Sequence, residues 1–285
     1  MPEGQPRSRF SLAGRSSILD ARVDAARRDL ADVRLAQRVF APHYALAVPR
    51  TAGRSTPLLA RAGAPETVQS EVLAGEPFDA LEFSGNSIWG VSPIDGSVGF
   101  VDADAFTAFW APTHIVAVRG ARLRAMPSAD GESLGTLPMG SCVAATPAGE
   151  SMVEVDGGYV DADALLPLDA LTLDIAAVAE RLLGVPAQAG GRSGAGVDAA
   201  GLNFLALHLA GADAPRFLDL QSAELGMALI EAAPFVRGQI LFFEDHAAIV
   251  TDAEAAIHVG ADAVARAPIA ALIAAHGPIV RRRQP

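Results

Sequence analysis

The sequence contains no lysine and only one cysteine. All 22 basic residues are arginine, so the glycine-rich run 190–196 lacks the lysine of a phosphate-binding loop, and its glycines are also wrongly spaced for one. A single cysteine, Cys142, rules out an intramolecular disulfide. Because Cys142 lies in a short apolar segment, we expect a buried structural thiol and not a nucleophile.

Long apolar runs are also missing. No window approaches the roughly 18 uninterrupted apolar residues of a membrane-spanning helix, so no membrane association is expected. The N-terminal segment 1–15 is polar and contains several arginines, which does not match a secretory signal. These two features predict a cytoplasmic location.

Negative charge exceeds positive charge, with a formal net charge of -11 at pH 7. An acidic surface repels the phosphates of nucleic acids, so nucleic-acid binding is disfavoured. The short basic run 281–283 does not change this balance and is predicted to be a frayed, solvated tail. The composition is otherwise that of a globular chain, and 285 residues allow two or three domains.

The first part of the chain, residues 1–43, is predicted to be an N-terminal arm that is partly helical. Proline, glycine, serine and arginine dominate residues 1–17, which indicates flexibility. Residues 18–40 place apolar side chains among aspartates and arginines, as in an amphipathic helix or in an arm draped over the rest of the chain. Pro42 ends this segment.

Two segments about 60 residues apart repeat each other. Gly99-Phe100-Val101-Asp102-Ala103-Asp104-Ala105-Phe106 matches Gly158-Tyr159-Val160-Asp161-Ala162-Asp163-Ala164-Leu165 at most positions. Short strands and glycine turns at this period predict small β-barrels. The repeat resembles the last strand and closing turn of bacterial SH3-like domains. This resemblance implies one such domain over residues 44–111 and another over residues 112–168.

The remaining residues, 169–285, combine helical and strand patterns. A helix is predicted near 173–183, and Asp198 is a candidate N-cap for a second helix over 199–210. Three apolar segments then predict successive strands over 239–243, 246–250 and 255–259. Helices followed by antiparallel strands indicate an α+β fold.

The segment Asp198-Ala199-Ala200-Gly201-Leu202, which follows Gly190-Gly191-Arg192-Ser193, resembles the nucleophile loop of the NlpC/p60 cell-wall cysteine peptidases. In that family the loop reads Asp-Cys-Ser-Gly-Leu, and the cysteine attacks peptide bonds of peptidoglycan stem peptides. The resemblance implies a papain-like α+β domain over 169–285. Alanine stands at the cysteine position here, and a methyl group cannot attack a carbonyl. The hydrolase activity of the family is therefore not expected.

The same resemblance assigns the other site residues. His246 and His258 match the catalytic histidine and the third polar residue of the family, and they are expected to lie near each other as remnants of the catalytic site. The substrate loop of active relatives reads Pro-Arg-Asp-Ser-Asp, whereas this chain has Pro215-Arg216-Phe217-Leu218-Asp219. Expected cleft residues are Arg192, Asp198, Ala199, Ala200, Gly201, Arg216, Phe217, Leu218 and Asp219.

Three functions remain open on these grounds. The chain is predicted to be a non-catalytic homologue that binds a cell-wall peptide (muropeptide) or a protein partner. The alternatives are a residually active cell-wall peptide hydrolase, and a structural subunit that forms a homo-oligomer or pairs with an active paralogue through an apolar face near 217–220. No cofactor is expected. No metal is expected either, because Asp245, His246 and His258 match no recognised zinc spacing.

Overall fold

A computed structural model describes residues 19–230 and 232–285. The predicted flexible segment 1–17 lies outside these residues. The described residues form four α-helices and 25 strands in six sheets, a mixed fold that agrees with the expected α+β class. None of the described helices has the length and hydropathy of a bilayer-spanning segment.

Residues 19–43 form an extended arm, and the amphipathic helix considered for this segment is wrong. Ala25 packs with Trp89 of the following unit, and the Arg27 guanidinium lies 4.4 Å from the Trp89 ring centre. Ala25 is buried against the sheet, whereas Val33 and Phe40 are exposed, so the arm presents no continuous apolar face of the kind that an amphipathic helix needs. The regular elements of the arm and the strand that follows it are β1 (Leu30–Asp32), a 3-10 turn (Val33–Leu35) and β2 (His43–Ala45).

The first β unit is one antiparallel sheet of seven strands, arranged in the order β5-β4-β8-β7-β6-β3-β9. Leu58, Phe78, Ile88 and Val101 form its buried core. The sheet is open, because its edge strands are not paired with each other within the described residues. Its strands are β3 (Val48–Ala52), β4 (Thr56–Leu59), β5 (Val68–Val72), β6 (Pro77–Ser84), β7 (Ser87–Val91), β8 (Val98–Asp102) and β9 (Phe106–Ala108).

The second β unit contains eight short strands in two sheets. Three strands pair in the order β13-β10-β17, and five pair in the order β12-β11-β16-β15-β14. The strands are β10 (His114–Val116), β11 (Gly120–Arg124), β12 (Ser133–Pro138), β13 (Cys142–Val143), β14 (Thr146–Pro147), β15 (Met152–Val155), β16 (Gly158–Asp161) and β17 (Leu165–Pro167).

The repeated sequence adopts the same local structure in both units. In the first, β8 is followed by a 3-10 turn (Ala103–Ala105) and then by β9. In the second, β16 is followed by a 3-10 turn (Ala162–Ala164) and then by β17. The last alanine of each turn is buried, so the two copies share a packing position as well as a sequence.

The third unit carries the α-helices and a six-stranded sheet of order β20-β25-β21-β22-β23-β24. The two helices and three strands predicted for this unit lie close to their predicted positions. In chain order they are α1 (Ile175–Arg181), β18 (Arg192–Ser193), β19 (Gly196–Val197), α2 (Ala199–Leu209), α3 (Leu218–Glu224), β20 (Met227–Ala228), β21 (Ile240–Phe242), β22 (Ala247–Val250), β23 (Ala255–Val259), β24 (Val264–Pro268), α4 (Ile269–His276) and β25 (Arg281–Gln284).

The six-stranded sheet is buried on both faces. Successive side chains of a strand point to opposite faces; accordingly Ile240 and Phe242 join the core with α1 and α2, whereas Leu241 packs with Ile269 and Leu272 of α4. The core on the α1 and α2 face also includes Cys142 of the second β unit. The second and third units therefore share one hydrophobic core.

The basic run 281–283 is not a solvated tail. It lies in β25, which pairs with β21, and Arg282 and Arg283 are both buried. Arg282 donates hydrogen bonds of 2.6 and 2.8 Å to the carbonyls of Ala233 and Pro234. Strand pairing and these carbonyl partners stabilise charged residues that sequence reasoning placed in solvent.

Candidate functional site

The site is built on the N-terminus of α2. Asp198 has extended backbone angles, and its Oδ1 accepts a 2.7 Å hydrogen bond from the backbone N–H of Gly201, as an N-cap does. Ala199 is the first residue of the helix and is only partly buried. Gly201 is required here, because a Cβ atom at this position would lie 2.0 Å from the carbonyl oxygen of Gly191.

Asp198 also holds a buried arginine. Arg216 donates two hydrogen bonds, of 3.0 and 2.7 Å, to the carboxylate of Asp198. The Nε of Arg216 lies 3.1 Å from the hydroxyl of Ser70, and that hydroxyl donates to Asp95 at 2.6 Å. The start of α2 is thereby tied to the first β unit.

A second buried arginine reinforces this connection. Arg192 donates to both carboxylate oxygens of Glu76, at 2.8 and 2.5 Å, and its Nε lies 3.0 Å from Asp95. All three side chains are at most 1% exposed. Charges at this depth persist only when they are paired, so the contact between the units depends on this ion-pair network.

Four of the nine expected cleft residues do not line an accessible cleft. Arg192 and Arg216 are each 1% exposed, because their guanidinium groups form ion pairs with neighbouring carboxylates. Ala200 and Gly201 are buried within the first turn of α2, and the Ala200 carbonyl accepts from Gln221 at 2.9 Å.

Ala199 and His246 line the same cavity, which has a volume of about 230 Å³. A neighbouring cavity of about 290 Å³ shares Gln188 and Ala189 with it and reaches Glu71 of the first β unit. The two cavities lie side by side at the contact between the first and third units, and we call them together the groove. The other residues around the smaller cavity are Ala187, Val197, Asp198 and Val259.

Three histidines meet beside this groove. His246 follows the tight turn between β21 and β22, and its Nε2 lies 2.9 Å from Nδ1 of His258 on β23. His258 lies on the α4 face of the sheet, because its neighbour Ile257 belongs to the opposite core. His276, the last residue of α4, stacks on His246 with ring centres 4.0 Å apart and planes 8° apart.

Sequence reasoning missed His276, which lies far along the chain from the other two residues. It reaches them because α4 directly follows β24, the neighbour of β23, and packs back over the sheet. No spacing of residues along the sequence indicates that His276 contacts the other two histidines. The contact follows only from the order of the strands in the sheet. We call His246, His258 and His276 the histidine cluster.

The environment favours the neutral form of two of these imidazoles, His246 and His258. Burial lowers the pKa of His246 to about 4, and the nearby His276 and His258 add to the effect, while Asp245 opposes it. Burial also lowers the pKa of His258, with a further contribution from His276. A neutral imidazole keeps a lone pair that can accept a proton or bind a metal ion.

The expected substrate loop lies at a different cavity. Phe217, Leu218 and Asp219 line a space of about 520 Å³ together with Arg22 of the arm. Arg22 binds both carboxylate oxygens of Asp219, at 3.0 and 2.6 Å, and this hydrogen bonding lowers the pKa of Asp219. Phe217 and Leu218 are half-buried, so the apolar face expected here is partly covered.

No alternative nucleophile lines the cavity at Ala199, whose described lining residues include no serine, threonine or cysteine. Ser193 is 1% exposed. Cys142 is buried in β13, and burial raises the pKa of its thiol. Neither side chain is available to attack a bound substrate.

Comparison with solved structures identifies proteins that share this fold. An NlpC/P60 family protein from Bacillus cereus superposes with a TM-score of 0.72 at 15% identity, covering 83% of this chain and 100% of the other. An NlpC/P60 endopeptidase from Photobacterium damselae gives a TM-score of 0.52 at 13% identity, covering 78% of this chain and 64% of the other. No protein-family profile and no curated protein sequence matches the chain. The chain therefore has the fold of NlpC/P60 proteins.

Proposed function

We propose that this chain is a catalytically inactive member of the NlpC/p60 family that binds cell-wall stem peptides without cleaving them. The observation that carries the proposal is the position of Ala199. It begins a capped helix and shares a cavity with His246, so a methyl group occupies the place where a thiolate would be activated.

The chemistry explains why this substitution removes catalysis. A cysteine at a helix N-terminus is acidified by the helix dipole and gives its proton to a neighbouring histidine. His246 retains a neutral imidazole, with its pKa lowered to about 4 by burial, but no nucleophile accompanies it. Hydrolysis by free water would lose the advantage of a positioned nucleophile, worth about 7–11 kcal/mol in well-oriented systems.

The groove supports peptide binding. Small side chains, Ala187 and Ala189, leave its wall open. Glu71 is the one carboxylate around the larger cavity. Its charge would attract the ammonium group of a stem peptide, which the apolar pair Phe217 and Leu218 cannot do.

Residues 44–111 and 112–168 are proposed to be SH3-like domains that position this groove. The repeated strand, 3-10 turn and strand of both units supports this assignment, as does the antiparallel pairing of their short strands. The first unit supplies one wall of the groove through Glu71 and Ser70. The loss of catalysis leaves this wall intact.

Binding and turnover can be separated with one labelled muropeptide that has a free amino end. We expect saturable binding by calorimetry and no cleavage products by mass spectrometry. Glu71→Gln should weaken binding because it removes the carboxylate that lines the groove, whereas Glu66→Gln, at an exposed position, should bind normally. Cleavage by the wild type would refute the inactive assignment, and absence of binding would refute the binding role.

Reversion tests the site itself. Ala199→Cys should give a thiol that reacts with iodoacetamide at lower pH than the exposed control Ala129→Cys, because the helix N-terminus and His246 favour the thiolate. Peptide cleavage should stay poor, since Phe217 and Leu218 replace the polar recognition pair. Efficient cleavage by the single revertant would show that these loop differences matter little.

A structural role as a homo-oligomer is the second candidate. The observation that favours it is an apolar surface in which Met227 and Ile230 are 67% and 75% exposed, beside a cavity of about 500 Å³ that includes Ile273. Light scattering of the wild type and of Ile230→Glu would test it. A wild-type chain that stays monomeric at high concentration would contradict it.

A further inference from the structure

We propose that the histidine cluster binds a divalent transition-metal ion of the zinc class. One ring nitrogen from each of His246, His258 and His276 lies within 4.8 Å of the corresponding nitrogens of the other two. Three imidazoles with an open fourth position are a donor set that catalytic zinc sites use. This inference does not depend on peptide binding.

The distances suit one ion. Nitrogens about 2.0–2.1 Å from zinc are separated by about 2.9 Å at a right angle and about 3.4 Å at a tetrahedral angle. The Nε2 atom of His246 and the Nδ1 atom of His258 are already 2.9 Å apart. The third donor needs a shift of at most about 2 Å and a new ring orientation, because the His276 ring stacks parallel to that of His246. Rotation of the His276 side chain at the end of α4 can supply both.

The proton balance is simple. In the metal-free protein one imidazole of the His246–His258 pair donates its N–H to the other ring. On metal binding that proton moves to the second nitrogen of the same ring, so that both facing lone pairs point at the ion. The His246–His258 pair therefore binds as two neutral ligands, and this rearrangement releases no proton.

The surroundings favour a cation. Asp245, next to His246 in the turn, brings a negative charge that acts on the imidazole of His246. His246 also borders the cavity of about 230 Å³ that contains Ala199. This space has room for a water molecule or an anionic ligand beside the first of the three histidines.

His276 distinguishes this proposal from a catalytic remnant. Beside the cysteine, the NlpC/p60 site that the sequence resembles needs only two residues. The hydrogen-bonded pair His246 and His258 matches them. A third imidazole stacked at 4.0 Å on the first has no role in that pattern. It is the residue on which the test depends.

The test uses the full chain without a polyhistidine tag, freed of metal with a chelator. Titration with Co²⁺ should produce visible ligand-field absorption that saturates at one ion per chain, and Zn²⁺ should displace it. His276→Ala should weaken Co²⁺ binding at least about tenfold. His43→Ala removes an exposed histidine outside the cluster and should bind like the wild type.

Two results would overturn the proposal. One is the absence of ligand-field absorption at millimolar Co²⁺. The other is equal binding by the wild type and His276→Ala, which would place the ion elsewhere. Circular dichroism would check that the variant folds, and His276→Gln, which keeps most of the side-chain volume, serves if the alanine variant does not. The glutamine variant should lose affinity in the same way.

Discussion

Arg22 lies over the ring of Phe217, with its guanidinium carbon 4.6 Å from the ring centre. The same guanidinium forms a 2.6 Å ion pair with Asp219. Through these contacts the arm holds the loop that in active relatives recognises substrate. The two apolar replacements, Phe217 and Leu218, thus contact the chain itself as well as solvent.

The first prediction concerns this contact. Arg22→Ala should lower the free energy of unfolding by no more than about 1 kcal/mol, because the ion pair and the ring contact are partly exposed. Amide hydrogen exchange in residues 217–222 should nevertheless become faster. Arg54→Ala, which removes an exposed ion pair with Asp104, should not change exchange in this segment. Unchanged exchange in Arg22→Ala would show that the arm does not order the loop.

The second prediction concerns the ion-pair network between the first and third units. Arg192→Met leaves Glu76 and Asp95 buried without a cation, so a loss of about 3–5 kcal/mol is expected in chemical denaturation. Arg61→Met is the matched control, because its partner Glu66 and Arg61 itself are both about two-thirds exposed. A loss in Arg192→Met no larger than that of the control would mean that the network does not stabilise the contact.

The third prediction compares two helix caps. Asp174 caps α1 through the backbone N–H of Ala177 at 2.6 Å, and Asp174→Ala should cost about 1 kcal/mol. Asp198→Ala removes a similar cap and also leaves Arg216 without its carboxylate, so about 3 kcal/mol or more is expected. Urea denaturation measures both. Equal losses would indicate that the pair with Arg216 adds nothing.

The fourth prediction concerns pH. Burial lowers the pKa of His208 in α2 to about 4, and the charge of Arg192 adds to this. The unfolded chain takes up this proton near pH 6.5, so stability is full above that value and falls as the pH drops towards 4, by at most about 3 kcal/mol. His208→Gln should reduce this fall, whereas His43→Gln at an exposed site should not. An unaltered pH profile in His208→Gln would contradict the assignment.

Local signals in the sequence were sufficient for the helix that carries the site. A capping aspartate, an apolar stripe and a terminal glycine are all encoded within residues 198–211, and α2 follows them closely. His246 and His258 were assigned from the resemblance to the NlpC/p60 family, at positions on two neighbouring strands, and the structure brings their facing nitrogens to 2.9 Å. Both inferences depend on residues that are close in sequence or paired in a hairpin.

The features that were missed depend on distant parts of the chain. His276 reaches the cluster only through the packing of α4, and the run 281–283 becomes a strand only because β21 offers an edge for pairing. Arg192 and Arg216 were predicted to line the cleft because the sequence does not reveal their carboxylate partners. Glu76 lies in a different unit from Arg192, and Asp198 also serves as a helix cap. No pattern in a single segment contains this information.

The buried pairing of Arg192 with Glu76 has a consequence for how such chains diverge. A side chain that serves only chemistry is free to change once the chemistry is gone, as we propose for position 199. A buried arginine that is paired with a carboxylate is not free to change, because the loss of either residue would leave an unpaired charge in the interior. In comparisons across distant homologues, the two arginines should therefore outlast the nucleophile and mark common ancestry where catalytic residues no longer do.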